Sequence, residues 1–94
     1  MTVNIKFVGA LRNITGKSAM VMDYSENFSV KDLIQKIIII LPALETSLVD
    51  YTGDVVKTIA LILVNDREIS VLNGIDTLLV DGDEVVFIPV VHGG

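Results

Sequence analysis

Apolar and polar residues alternate over residues 3–8, with Val3, Ile5 and Phe7 on one face. That period of two predicts a strand. Residues 9–17 break the alternation and contain Asn13 and Gly16, both turn residues. Residues 18–24 alternate again. Ala19, Val21 and Asp23 share one face, and Met20, Met22 and Tyr24 share the other. This second strand is expected to pair antiparallel with the first, with its methionines filling the core.

The period then changes. Val30, Leu33, Ile34, Ile37, Ile38 and Leu41 recur at helical spacing and form one apolar stripe, with Lys31, Gln35 and Lys36 opposite. Ser29 and Asp32 stand at the spacing of a capping box, with Asp in place of the usual Glu or Gln. Pro42 is expected to end the helix near Leu41. Four consecutive isoleucines, 37 to 40, cannot all lie on one stripe. Ile39 points away from its centre and is expected to be covered by residues 43–58. Those residues are expected to form a loop with a short helical turn.

Residues 59–64 are continuously apolar, which predicts a strand buried on both faces. Asn65-Asp66 makes a turn. Residues 67–71 form a short return strand or extended piece, and 72–76 a single turn or short 3₁₀ helix. Asp81-Gly82-Asp83 is a tight turn before a last strand over 84–88. Pro89 forbids further ladder pairing on its nitrogen and starts an extended tail ending Val90-Val91-His92-Gly93-Gly94. The order is β-β-α-β-(β)-β, an α+β arrangement in which one helix covers one face of a sheet.

Composition narrows the chemistry. Of 94 residues, 51% are hydrophobic, enough for one core and one small domain. There is no cysteine, which excludes a disulfide framework, a thiolate metal site and a cysteine nucleophile. The net charge is −5, and the seven basic residues form no run, so no direct nucleic-acid binding is expected. The longest apolar runs, residues 37–44 and 85–91, fall short of the roughly 20 residues that span a bilayer. No signal-peptide core is visible at the start, so no membrane association and a cytoplasmic location are expected.

The candidate chemistry is sparse. His92 is the only imidazole and reads as a tail residue rather than part of a triad. Asp81, Asp83 and Glu84 lack the spread of a calcium loop and read as turn residues. No phosphate-binding glycine loop is present. The chain end remains. Glycine has no Cβ, so a Gly-Gly end can thread a narrow channel and bring its carboxylate to a buried site. An ionised carboxylate is a poor electrophile and needs activation by another protein.

Leu63-Val64-Asn65-Asp66-Arg67, Leu72-Asn73-Gly74-Ile75-Asp76-Thr77-Leu78, Asp81-Gly82-Asp83-Glu84-Val85, Phe87-Ile88-Pro89 and Val91-His92-Gly93-Gly94 together resemble the small-subunit family of molybdopterin synthase. Phe7, Leu11, Arg12 and Gly16 resemble that family's opening hairpin. The resemblance implies a ubiquitin-like β-grasp fold: an α+β mixed sheet with one main helix on one face. It implies a β-grasp domain over residues 1–88 and an extended Gly-Gly tail over 89–94.

It further implies a sulfur carrier rather than an enzyme, with no permanently bound cofactor. An E1-like adenylyltransferase would use ATP and magnesium to adenylate Gly94. A sulfur donor protein would supply the thiocarboxylate sulfur. The large subunit of the synthase would take the tail and make the dithiolene of molybdopterin. Gly93 would give a slim approach, and Pro89, Val90, Val91 and His92 would seat the tail. Phe7 and Phe87 are candidates for partner contact or for the core. Val90 stands where the family often has a second Pro, and His92 where small residues are common. Related carriers serve tRNA thiolation and protein conjugation.

Overall fold

The alternation of Val3, Ile5 and Phe7 becomes β1 (Thr2–Phe7), with those three side chains buried and Asn4 and Lys6 exposed. The computed structural model describes residues 1–51, 53 and 57–90. β2 (Ala19–Asp23) runs antiparallel to β1, with Val3 opposite Met22 and Ile5 opposite Met20. Met22 and Tyr24 are buried and Met20 packs against the core, whereas Val21 faces solvent, as the alternation predicts. Between the strands lies a helix that the pattern did not reveal, α1 (Ala10–Thr15). Leu11 is its one buried residue, so it carries no periodicity to read.

The stripe folds as α2 (Val30–Ile40), burying Val30, Leu33, Ile34 and Ile37 against the sheet. Its capping box is complete. The Asp32 N–H donates to Ser29 Oγ at 3.1 Å, and the Ser29 N–H donates to Asp32 Oδ2 at 3.0 Å. The backbone hydrogen bond from Ser29, then its hydroxyl, holds the Asp32 carboxyl below its ordinary value. A group whose folded pKa is depressed stabilises the fold above its unfolded pKa, near 4 for Asp, and loses that contribution as pH falls through the folded value. The urea midpoint is therefore expected to fall on acidification below about pH 4, with a shallower acid limb in Asp32→Asn. Ser29→Ala, which removes the cap acceptor, is expected to lower stability at pH 7 by about 1 kcal/mol. An unchanged midpoint in Ser29→Ala contradicts the cap.

Ile39 corrects an expectation: it is 78% exposed, and the described residues of 43–58 do not cover it. Those residues follow their own apolar side chains. A 3₁₀ turn, Pro42–Leu44, leads into α3 (Glu45–Leu48), and Leu44 and Leu48, one helical turn apart, both go fully into the core. The chain thus follows Leu44 and Leu48 into the core and leaves Ile39 exposed. Beyond the expected helical turn there is also a small ladder, β3 (Val49–Asp50) antiparallel to β4 (Lys57–Thr58).

The apolar run narrows to β5 (Leu61–Val64), with Ile62 and Val64 buried but Leu61 exposed and Leu63 half-buried. Burial on both faces is corrected, because the helical layer covers only one. Asn65 and Asp66 turn the chain at φ 49° and 69° into β6 (Arg67–Glu68), the positive-φ pair of a tight hairpin. Short 3₁₀ helices at Ile69–Val71 and Gly74–Asp76 carry it back. Gly82, at φ 86°, makes the turn into β7 (Glu84–Ile88). The sheet order is β2-β1-β7-β5-β6, with β1 and β7 parallel at its centre and the other neighbours antiparallel. This is the ubiquitin-like β-grasp. Among the described residues no helix is long and apolar enough to cross a membrane.

Candidate functional site: the root of the C-terminal tail

β7 is hydrogen-bonded on both sides, to β1 and to β5, and runs directly into Pro89 and Val90. A strand held on both edges cannot swing, so the tail leaves the domain from a fixed point. Pro89 is half-buried and Val90 is exposed. The expectations for Val91, His92, Gly93 and Gly94 lie outside the described residues.

Of the two readings open for Phe7 and Phe87, partner contact and core, the structure has the core one. They are 2% and 0% exposed, and their rings stack at 6.0 Å between centroids with an interplanar angle of 26°. Both point toward the helical layer, because Phe7 shares the face of Val3 and Ile5, and Phe87 that of Val85. They hold the parallel β1–β7 pair together and present no surface.

The residues of alternate parity do face outward. Val8 follows β1, and its N–H donates to the Phe87 carbonyl at 3.1 Å. Ile88 lies opposite Leu61. Val8 and Leu61 are exposed and Ile88, Val86 and Leu63 half-buried, so the open sheet face is apolar at the end where the tail departs. Its other end is polar, with Asn4 beside Glu84 and the Lys6 ammonium 3.0 Å from the Glu84 carboxylate.

A second surface flanks the root. Ala10, Leu11 and Ile14 of α1, Thr46 and Ser47 of α3, and Ile59, Pro89 and Val90 line a groove of about 230 Å³. Gly9 lies next to Pro89 of this groove. It stands at φ 62°, ψ −134°, a region open to glycine almost alone, and a Cβ there would meet Pro89 Cγ at 3.3 Å. Gly9→Ala is expected to cost about 1–3 kcal/mol, read as a lowered urea midpoint. A midpoint unchanged from the native protein counts against strain at this contact.

The carboxylates at 81–84 are turn residues. The Asp83 carboxylate is buried and accepts from Asn65 Nδ2 and from the Val80 N–H, both at 2.8 Å. Asp81 Oδ1 accepts from the Thr2 N–H at 2.8 Å. Among the described residues no group of three or more His, Cys, Asp or Glu could hold a metal ion. Sequence reasoning found the tail but missed Gly9, Val8, Leu61, Ile14, Thr46 and Ser47. A glycine at the end of an alternating run was the one available signal, while the Gly9–Pro89 contact joins residues far apart in the chain.

Comparison with known proteins agrees with this geometry. A family model, Urm1 (Ubiquitin related modifier), matches residues 2–94. The small archaeal modifier protein 1 of Methanosarcina acetivorans is 28% identical, with a TM-score of 0.82 over 99% of this chain and 96% of that one. Urm1 of Trypanosoma brucei is 28% identical, with a TM-score of 0.77 over 99% and 95%. A Pyrococcus furiosus protein assigned as a candidate molybdopterin converting factor, subunit 1, is 26% identical, with a TM-score of 0.78 over 97% and 99%. No curated protein matches significantly.

Proposed function

The chain belongs to the Urm1 (ubiquitin related modifier) family, and from that premise we propose that it is a sulfur carrier that works through its C-terminal glycine. The observation that carries the reading is the position of β7. The central strand of a rigid sheet passes straight into the tail, beside an apolar surface suited to a protein partner.

The chemistry follows from the terminus. An oxygen of the Gly94 carboxylate attacks the α-phosphorus of ATP on an E1-like adenylyltransferase. Pyrophosphate leaves, and magnesium on the enzyme offsets the phosphate charge. A sulfide-level sulfur from a donor protein then displaces AMP and leaves a thiocarboxylate. With no cysteine in the chain, the sulfur has no other place to ride. Gly93 keeps the approach slim, and Pro89, Val90, Val91 and His92 seat the tail in the partner. Residues 1–88 serve as the domain and 89–94 as the tail. Catalytic groups and ATP belong to the partners, and the carrier itself holds no cofactor.

For the sulfur acceptor, the tail pattern and the Pyrococcus likeness support donation to a pterin, with the chain as the small subunit of molybdopterin synthase. The family model and the two 28% relatives favour a second reading, a carrier for tRNA thiolation or protein conjugation. Incubation with an E1-like enzyme, ATP and a sulfur donor is expected to raise the intact mass by the difference between one sulfur and one oxygen. An unchanged mass with an enzyme that activates another carrier overturns the proposal. Diglycine remnants on target lysines select the second reading, and dithiolene formation with a large synthase subunit the first.

A further inference from the structure

The carrier reading sets a length limit. Gly94 lies four residues beyond Val90, and four extended residues reach at most about 14 Å. An enzyme that attacks the Gly94 carboxylate must bring its reacting atoms within that radius of Val90. A protein body that close must lie against the surface surrounding the root. Two apolar surfaces meet there, the sheet-face row of Val8, Ile88 and Leu61, and the groove between α1 and α3.

The groove is suited to more than passive cover. Leu11, Ile14, Ile59 and Pro89 are among the residues that line it, and Ile14 is 42% exposed. Thr46 and Ser47 also line it, and neither hydroxyl has a hydrogen-bond partner among the described residues. Val90 forms part of the wall, so an occupant would touch the tail root itself. Pro89, in the wall, lies so close to Gly9 that a Cβ there would crowd it at 3.3 Å.

We propose that this groove is a docking pocket for the adenylating enzyme, which inserts one large apolar side chain against Ile14 and Val90 and hydrogen-bonds the Thr46 and Ser47 hydroxyls. The proposal rests on the carrier reading and assigns a role to the segment after α2. The enzyme would grip the root from two sides, sheet face and groove, leaving only the last residues to enter its active site. Ile14, Thr46 and Ser47 act as positioning residues, since they touch the enzyme and not the reacting atoms.

The test is ATP–pyrophosphate exchange by the adenylating enzyme from the same organism, with the full-length protein as varied substrate. Ile14→Glu and Thr46→Arg are expected to raise KM for the carrier about tenfold or more, with kcat within about twofold. Ile14→Ala, which adds no charge, should move KM in the same direction. Ile39→Glu, on exposed α2 surface, should leave KM unchanged. Circular dichroism and the urea midpoint establish that each variant is folded. Native exchange kinetics in folded Ile14→Glu, Ile14→Ala and Thr46→Arg overturn the pocket and leave the carrier reading standing. A rise in KM for Ile39→Glu equal to that for Ile14→Glu also overturns it, since bulk charge then explains both. No exchange with the native protein overturns the carrier reading, and the pocket with it.

Discussion

Shortened by Gly94, the protein is expected to form no acyl-adenylate or thiocarboxylate with an enzyme that converts the full chain, while its circular dichroism and urea midpoint stay unchanged. Two effects combine. Deletion draws the carboxylate back by about 3.5 Å. A displacement of about 1 Å can already cost on the order of a hundredfold in a positioned reaction, so loss beyond detection is the expected result. The root does not follow, because β7 is fixed between β1 and β5 and Pro89 rests against Gly9. Stability is spared because the core is built from residues between Val3 and Phe87. Intact-mass spectrometry reads the chemistry and denaturation reads the fold. A shortened chain that is still thiocarboxylated, or one that unfolds, contradicts the assignment.

Phe87→Ala is expected to have the largest effect on the fold. Truncating a fully buried Phe costs about 3–5 kcal/mol, against total stabilities of about 5–15 kcal/mol for domains of this kind. Phe87 sits on the central strand, stacked on Phe7 and paired across β5 with Ile62. The cavity would therefore open between the two strands that define the sheet. At about 4–8 °C per kcal/mol, the midpoint of thermal unfolding should drop by more than about 10 °C. Val21→Ala, on the solvent face of edge strand β2, should stay within about 0.5 kcal/mol of the native protein. A Phe87→Ala protein of native stability with impaired partner binding would restore a surface role for this ring and refute its place in the core.

Several elements were legible because their signals are local. The capping box at Ser29 and Asp32, the stripe of α2, the Asn65-Asp66 hairpin and the Gly82 turn each declare themselves within a few residues. Ile39 was misjudged because a helical period says which way a side chain points, not where the following segment goes. Leu44 and Leu48 drew that segment into the core instead. Helix α1 leaves no periodic signal, because one buried leucine makes no period. In β5 the apolar run suggested two buried faces, yet alternate residues meet solvent beside the tail root. That same apolar excess is part of the candidate site.

By itself, the sequence determined the main helix and the sheet strands of an α+β domain, the absence of thiol chemistry, and a Gly-Gly end as the candidate place for chemistry. Local periodicity suffices for these because it records which side of each element is buried. Only the tertiary structure decided that β1 and β7 lie parallel at the centre of the sheet, that Phe7 and Phe87 are core, and that Gly9 meets Pro89. It also brought α1 and α3 to the tail root. Parallel pairing joins strands from opposite ends of the chain, and no period within a strand specifies its neighbour. The surface surrounding the tail root is therefore a product of packing, assembled from segments that the sequence keeps apart.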